Sequence, residues 1–185
     1  VCSSERAGLQ TEVREYHVWL PHTVEYGVWR IAPNPKALDL REGPLPEDPT
    51  SVAYPEYPTV NGYSGTGDAT GEVVYVNYGL IEDYAQLDSI GVSVRGKVAI
   101  ARYGRSFRGI KAREAEKHGA VALLMYSDPA DDGYVQGDVY PEGPFRNERG
   151  VQRGSVMNGA GDPSTPGYPS TAGATRIPLD QMPVP

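Results

Sequence analysis

One run of the sequence, residues 71–126, alternates between strand-like and helix-like patterns, and this alternation limits the fold more than any other feature. β-Branched and apolar residues form the strand-like pieces, whereas apolar residues at helical spacing form the pieces between them. In chain order the predicted elements are a strand at 71–79, a helix at 80–90, a strand at 95–104, a helix at 106–118 and a strand at 120–126. Strands joined by helices pair in parallel, so the run predicts a β-α-β-α-β core of an α/β fold.

The last helix and strand of this core carry further expectations. Gly119 follows the helix directly, at a position where glycine commonly ends a helix. The pairs Lys111/Glu114 and Glu114/Lys117 have helical spacing, and we expect them to face solvent. The strand at 120–126 is apolar throughout, which predicts burial on both of its faces.

Two glycines inside the core, Gly104 and Gly109, have the G-x-x-x-x-G spacing of a phosphate-binding loop. Such a loop also needs lysine directly after the second glycine, followed by serine or threonine. Here Ile110 follows, and Lys111 is displaced by one residue, about 100° around a helix. A second glycine-rich stretch, at 65–71, precedes a strand, whereas the dinucleotide-binding fingerprint follows one. The sequence therefore disfavours a nucleotide site at both places.

The region before the core is β-rich at first and then irregular. Residues 12–32 carry β-branched and aromatic residues on both sides of Pro-His-Thr, which predicts two strands joined by a turn. Residues 33–60 contain seven prolines. Because proline lacks the N–H that a central strand needs, this stretch predicts a linker or an extended surface loop. We expect residues 1–43 to form a β-hairpin extension and residues 44–185 to form the main domain.

Composition excludes several classes of protein. The formal net charge of −7 and the pI near 5.0 disfavour non-specific binding to nucleic acid. No apolar run approaches the 18 residues of a transmembrane helix. The single cysteine, Cys2, can form neither an internal disulfide nor a CxxC motif. The chain starts at Val1 without a methionine, so we expect it to be a segment of a longer protein.

The residue types of catalytic and metal sites are present, but their patterns do not fit such sites. His17 and His22 have no carboxylate run nearby, and ordinary polar roles are expected for them and for His118. Ser64 is followed two residues later by Thr66, where a nucleophile elbow needs glycine. The acidic cluster of "SDPADD" lacks the calcium-loop pattern and predicts a solvated turn. Its members are Asp128, Asp131 and Asp132. The sequence thus predicts no catalytic residue and no metal ligand in this chain.

Arginines stand out at two places. Three of them flank the glycine turn of the core, and we expect them to pair with local acids. They are Arg102, Arg105 and Arg108. Arg153 lies in "RGVQRGS" near Gly150 and Gly154, and glycines of this kind let a backbone approach another surface closely. The planar guanidinium of arginine suits bidentate recognition of a carboxylate. On these residues alone, an ordinary surface arginine is favoured.

The segment "GKVAIARYGRSFRGIKAREAEKHGAVALLMYSDPAD" resembles the core of a protease-associated (PA) domain. In that family a G-K-[IV] strand leads to a helix with the pattern K-x-x-x-A-x-x-x-G-A, and an apolar strand ends in Y-S-D-P. The helix pattern is matched by Lys111, Ala115, Gly119 and Ala120. Residues 161–169 are similar to the PA domains inserted in glutamate carboxypeptidase II and its transferrin-receptor relatives, and "VQRG" favours the carboxypeptidase branch. The resemblance covers residues 71–185 strongly and the first 60 residues weakly.

The resemblance implies a compact, β-rich α/β domain that caps the active site of a zinc exopeptidase and helps to bind the peptide substrate. It places two zinc ions and their ligands in the peptidase domain of the same parent chain, with no cofactor in this segment. It also implies that Arg153 binds the C-terminal carboxylate of the substrate. In this chain alone, we expect Arg153 to be exposed or paired with a local acid such as Glu148. The transferrin-receptor branch implies an alternative, a non-catalytic protein-interaction module.

Two more expectations concern the parent protein and its assembly. Peptidases that carry this domain work mostly outside the cytoplasm, which implies an extracellular, periplasmic or membrane-attached parent. The predicted hairpin at 12–32 would have an unpaired edge with apolar side chains once it is separated from the peptidase domain. Such an edge pairs readily with a second copy, so we expect a homodimer formed through the hairpin.

Overall fold

Short strands and helices alternate along the chain in the computed structural model, which describes residues 2–52, 57–157 and 159–182. In chain order the elements are α1 (Cys2–Arg6), β1 (Trp29–Arg30), β2 (Lys36–Ala37), β3 (Val73–Tyr75), α2 (Ile81–Ser89), β4 (Val98–Arg102), α3 (Arg108–Lys117), β5 (Ala122–Tyr126) and α4 (Pro129–Asp132). Two short 3-10 turns lie at Pro49–Val52 and Leu179–Gln181.

The chain divides into two units. The terminal unit comprises residues 1–21 and 158–185, and the central unit comprises residues 22–157. The boundary that we expect between residues 43 and 44 concerns the domains of the parent protein and stays a prediction.

A parallel three-stranded sheet lies in the central unit, with the strand order β3-β4-β5. Val73 is opposite Val98, and Val98 is opposite Ala122. Helix α2 connects β3 to β4 and helix α3 connects β4 to β5, which are the crossover connections that parallel neighbours need. The predicted β-α-β-α-β core and the α/β fold class are confirmed.

Local signals in the sequence set the ends of both crossover helices. The Asp83 carboxylate accepts the backbone N–H of Leu80 at 3.0 Å and so satisfies one of the free donors at the start of α2. Gly91 follows the end of α2 with a φ of 73°, and Gly119 follows α3 with a φ of 78°. Glycine adopts this left-handed conformation without a steric penalty, so Gly119 ends α3 as predicted.

The hydrophobic core of the central unit joins the sheet to both crossover helices. Its buried members are Val76, Tyr84, Val94, Ala99, Ala101 and Ala115. Tyr84 comes from α2, Ala115 comes from α3, and two alanines come from the middle strand β4. The core therefore packs both crossover helices against the middle strand of the sheet.

Strand β5 is less buried than predicted. All five of its residues are half-buried, whereas Ala99 and Ala101 of β4 are inaccessible to solvent. The reason is topological, because β5 pairs only with β4 and forms one edge of the sheet. An apolar composition marks a strand as buried, but it does not tell a central strand from an edge strand.

The predicted hairpin around Pro-His-Thr is not formed. A short antiparallel ladder occurs later in the chain instead, with Trp29 of β1 opposite Ala37 of β2. Tyr16, in the first predicted strand, forms an isolated bridge with Thr171. The bounds were wrong because strand propensity depends on the partner strand, which residues 12–32 do not reveal. The expected homodimer was based on an unpaired edge of that hairpin, and it stays a prediction.

The proline-rich stretch is mostly irregular, as predicted. Within residues 33–60, regular structure is confined to β2 and the turn at Pro49–Val52 in the part that the structure describes. Residues 53–56 of this stretch lie outside the described residues. The stretch is more than a linker, since Asp39 and Glu42 form ion pairs with a loop more than 100 residues away.

In the terminal unit, a buried carboxylate organises the backbone. Asp162 accepts hydrogen bonds from the backbone N–H groups of Ser164, at 2.7 Å, and Trp19, at 2.5 Å. The hydroxyl of Ser170 donates to the same carboxylate at 3.0 Å, and the carbonyl of Ser170 accepts the N–H of His17. One acidic side chain thus links both sequence segments of the unit.

Candidate functional site

Arg153 lies in a loop of the central unit, and its guanidinium is held on two sides. Its Nη1 atom lies 2.5 Å from Oε2 of Glu42. Its Nε and Nη2 atoms donate to the backbone carbonyls of Pro58 and Tyr57, each at 3.2 Å. The acid partner of Arg153 is Glu42 and not Glu148, the partner expected from the sequence. The loop places the guanidinium against the proline-rich stretch, which carries Glu42.

A second ion pair joins the same two segments of chain. Arg149 Nη2 lies 2.7 Å from Oδ2 of Asp39 and also donates to the carbonyl of Arg41 at 2.9 Å. The hydrogen bond from Arg149 is the main reason that the pKa of Asp39 lies well below its ordinary value. The acidic residues at 39 and 42 thus face the arginines at 149 and 153.

Backbone and side-chain contacts fix the rest of the Arg153 loop. The N–H of Gly62 donates to the carbonyl of Gly154 at 2.7 Å, and the carbonyl of Gly62 accepts the N–H of Val156 at 3.0 Å. The side chain of Gln152 donates to Asp132 at 3.0 Å. These bonds hold the residues on both sides of Arg153 in addition to its guanidinium contacts.

Gly154 lies against the guanidinium of Arg108, within the same unit. A methyl group at this position would require the end of the Arg108 side chain to move.

Polar side chains gather where the three parallel strands end. Arg102, at the end of β4, donates from Nη2 to the Asn77 side chain at 2.9 Å and lies 3.5 Å from Asp128. The guanidinium also lies over the ring of Tyr78, 4.2 Å from its centroid. The Tyr78 hydroxyl donates to Asp131 at 2.7 Å. The cluster ties the chain after β3 to the chain after β5.

The acidic cluster is a single helical turn without buried residues, which agrees with the predicted solvated turn, but its carboxylates are more organised than predicted. Asp128 caps α4 by accepting the N–H of Ala130 at 2.9 Å. Asp131 binds Tyr78, and Asp132 pairs with Arg146 at 3.0 Å. All three carboxylates have protein partners, because the end of β5 brings them against the ends of its neighbours.

The arginines of the glycine turn fulfil the expected pairing only in part. Arg102 pairs with acids as predicted. Arg105 is exposed, has a φ of 61° and lies 4.6 Å from the centroid of the Tyr78 ring. Arg108 lies 5.8 Å from the centroid of the Tyr103 ring, and its buried Nε has no hydrogen-bond partner among the described residues. Two of the three guanidinium groups thus contact aromatic rings instead of carboxylates.

The chain matches a known protein family over the parallel sheet and the Arg153 loop. Residues 69–178, more than half of the chain, match the model of the PA domain. The chain belongs to the PA domain family. Known proteins that contain similar segments are larger than this chain.

Two relatives illustrate the similarity of this PA domain to glutamate carboxypeptidase-like proteins. A probable glutamate carboxypeptidase of Arthroderma benhamiae is 41% identical over 85% of the chain, which covers 23% of that protein. A glutamate carboxypeptidase 2 homolog of Caenorhabditis elegans is 43% identical over 58% of the chain, which covers 14% of that protein. The chain thus spans less than a quarter of the length of either relative.

A solved structure of an aminopeptidase from Aneurinibacillus sp. strain AM-1 aligns with 51% of the chain at 28% identity, with a TM-score of 0.36 and 17% of that protein covered.

None of the helices in the described ranges has the length and apolar character that a membrane crossing requires.

Lys111 and Glu114 of α3 are buried, which corrects the expectation that they face solvent. Lys117 is exposed, as expected, and its ammonium pairs with Glu114. Lys111 is inaccessible to solvent, and its Nζ donates to the carbonyls of Tyr78, at 2.6 Å, and Gly104, at 2.8 Å. Glu114 is 2% exposed and accepts from Arg113 and Lys117. The sequence missed this because a lysine stem is apolar and its ammonium can be satisfied by carbonyls at the ends of strands. The lysine is occupied by these carbonyls, which agrees with the absence of a phosphate-loop pattern.

His118 and Ser64 have ordinary polar partners. His118 Nδ1 lies 2.8 Å from the carbonyl of Glu114, and its ring stacks on Tyr84 with centroids 4.2 Å apart. Burial raises the pKa of Tyr84 to about 12. The Ser64 hydroxyl donates to the carbonyl of Asn61 at 2.7 Å. In the described ranges, no three His, Cys, Asp or Glu side chains lie close enough together to hold a metal ion. The absence of cofactors from this domain stays a prediction.

Sequence reasoning singled out Arg153 but missed both acids that face the loop. Asp39 and Glu42 lie in a proline-rich stretch whose composition indicates only a surface loop. The sequence carries only a weak signal of these contacts. Two acids lie close together at 39 and 42, and two arginines lie close together at 149 and 153, so the two segments could form two ion pairs. That signal identifies partners only after the two segments are known to be adjacent.

Proposed function

We propose that this PA domain belongs to a zinc-dependent exopeptidase of the glutamate carboxypeptidase type, where it caps the active site and helps to bind the substrate. The similarity to glutamate carboxypeptidase-like proteins supports the parent enzyme. The two zinc ions and the hydrolytic chemistry belong in this proposal to the peptidase domain of the parent chain. The parent works outside the cytoplasm or is attached to a membrane.

The observation that carries the proposal is the state of the Arg153 guanidinium. Arginine has five N–H groups. Three of them bind Glu42, Tyr57 and Pro58. Among the described residues, one N–H on each terminal nitrogen is left without a hydrogen bond, and the side chain is 31% exposed. Two N–H groups on neighbouring nitrogens are what a carboxylate needs for bidentate binding.

The proposed role is therefore to hold the C-terminal carboxylate of a peptide while the peptidase domain cleaves the bond next to it. The backbone hydrogen bonds of Gly154 and Val156 support this role, because binding then costs little rearrangement of the loop. The positive charge of Arg153 would favour peptides with a free C-terminal carboxylate over peptides whose C-terminus is uncharged.

The test uses the full-length parent enzyme with a peptide substrate and its C-terminally amidated form. A charge-assisted hydrogen bond to a carboxylate contributes roughly 1.5–3 kcal/mol, so Arg153→Ala should lower kcat/KM about 10- to 100-fold for the free acid. The amide should lose much less. Arg149→Ala is the matched control, since it removes an arginine and an ion pair from the same loop and should leave the preference for the acid unchanged.

An equal loss for both substrates would show that Arg153 only supports the loop. No loss for either would contradict the proposed binding role. Absence of any peptidase activity in the wild-type parent would favour the non-catalytic interaction module instead.

A further inference from the structure

One carboxylate, that of Glu42, contacts the Arg153 loop in two places. Its Oε2 atom lies 2.5 Å from Arg153 Nη1, and its Oε1 atom accepts the backbone N–H of Val151 at 2.8 Å. Both oxygens are therefore occupied by the same short segment of chain. The carboxylate bridges the backbone of the loop and the side chain that the loop presents.

We infer that Glu42 is a positioning residue for Arg153, which fixes the guanidinium in the orientation that receives a ligand carboxylate. This inference rests on the proposed function. Glu42 itself contacts no substrate in this account. It acts through Arg153, by restricting the side chain before the ligand arrives.

The contacts of Arg153 explain why such a residue is needed. The carbonyls of Tyr57 and Pro58 hold one edge of the guanidinium through neutral acceptors at 3.2 Å. The Glu42 contact is shorter and charge-assisted, so it is the strongest of the three. An arginine side chain has many rotamers, and a partner that restricts them beforehand reduces the entropy lost on binding. Glu42 uses only one of the N–H groups on Nη1, so each terminal nitrogen still has one for a ligand.

The neighbouring pair of Asp39 and Arg149 provides a matched comparison. It joins the same two segments at 2.7 Å and is also partly exposed. Asp39 accepts hydrogen bonds from Arg41 and Arg149, and among the described residues it forms no hydrogen bond or ion pair with Arg153. Loss of Asp39 therefore weakens the attachment of the acidic segment without removing a partner of Arg153.

Glu42 could instead compete with the ligand for Arg153, and that role predicts the opposite effect on binding. If the ligand carboxylate had to displace Glu42 from Nη1, removal of Glu42 would tighten binding of acids. If Glu42 positions Arg153, its removal weakens that binding. The sign of the effect on KM separates the two roles.

The experiment compares a peptide substrate and its C-terminal amide on the full-length parent enzyme. Glu42→Ala should raise KM for the free acid about 3- to 10-fold with kcat nearly unchanged, since the contact is made equally in the ground state and the transition state. KM for the amide should stay the same. Glu42→Gln should retain part of the effect of Glu42, because the amide oxygen can still accept one of the two N–H groups. Asp39→Ala should leave the acid-to-amide ratio of KM at the wild-type value.

The double variant Glu42→Ala/Arg153→Ala should match Arg153→Ala alone in that ratio, because Glu42 acts only through Arg153. A lower KM for the acid in Glu42→Ala or Glu42→Gln would overturn the inference, and so would an unchanged ratio in both. If either of these results occurred but Arg153→Ala changed the acid-to-amide ratio of KM, the inference about Glu42 would fail and the proposed function would stand. An unchanged ratio for Arg153→Ala would overturn the proposed function and the inference with it.

Discussion

The ammonium of Lys111 lies 2.6 Å from the carbonyl oxygen of Tyr78 in a position that solvent does not reach. The same ammonium donates to the carbonyl of Gly104 at 2.8 Å, so it joins the chain after β3 to the chain after β4. Burial lowers the pKa of Lys111, and the two carbonyls compensate for part of the lost hydration. This contact shapes the end of the sheet where the polar cluster lies.

Lys111→Met should destabilise the domain by about 1–3 kcal/mol, because methionine keeps the apolar stem but leaves the buried carbonyl of Tyr78 without its donor. The carbonyl of Gly104 also loses the ammonium but keeps the N–H of Ser106. Urea unfolding of the chain, followed by tyrosine fluorescence, measures the change. Lys36→Met is the control at an exposed position of β2 and should change stability by less than about 0.5 kcal/mol. Equal stability of Lys111→Met and wild type would show that the ammonium contacts contribute nothing net.

Gly109, the second glycine of the phosphate-loop spacing, should be necessary for packing. A methyl group on Gly109 would collide with the backbone carbonyl of Val156, whereas Gly67 has no atom within 4 Å of such a group and no left-handed backbone. Gly109→Ala should therefore cost about 1–3 kcal/mol, although alanine favours helices. Gly67→Ala should be neutral or stabilising by up to about 1 kcal/mol. Thermal unfolding of both variants decides the matter, and a Gly109→Ala variant as stable as Gly67→Ala would contradict the packing role.

The core of the fold could be predicted from the sequence because its signals are local. Hydrophobic periodicity identified the elements of residues 71–126, and Gly119 marked the end of α3 correctly. The misplaced hairpin at 12–32 and the half-buried β5 depend on which strands become neighbours. The burial of Lys111 and Glu114 depends on which face of α3 meets the sheet. Such relationships arise between distant segments, and a pattern within one segment does not contain them.

The same distinction holds for the candidate site. Arg153 could be singled out from its own surroundings in sequence and from the family resemblance. Glu42 could not, because it precedes Arg153 by 111 residues and lies in a stretch whose composition predicts only a loop.

Asp162 should make the terminal unit sensitive to acid. Burial alone raises the pKa of Asp162, but hydrogen bonds from Ser164, Trp19 and Ser170 outweigh it and hold the pKa well below its ordinary value. A carboxyl whose pKa is lowered by folding contributes stability above its unfolded pKa of about 3.9, and this stability is lost as the pH falls below that value.

Asp162→Asn should therefore lower the urea midpoint at pH 7 and flatten its fall between about pH 4 and pH 2, measured by the fluorescence of Trp19. Asp180→Asn, at an exposed position of the same unit, should keep the wild-type pH profile. A midpoint of Asp162→Asn that falls with acid as steeply as wild type would assign the acid sensitivity to other carboxyls.

The most direct test of the proposed role of Arg153 is a distance in an experimental structure of the full-length parent with a bound, uncleaved peptide analogue that has a free C-terminus. We predict that both terminal nitrogens of Arg153 lie about 2.7–2.9 Å from the two oxygens of the ligand carboxylate, with Glu42 still bound to Nη1. A ligand carboxylate held by other residues, with Arg153 paired only to Glu42 and the carbonyls of Tyr57 and Pro58, would contradict it.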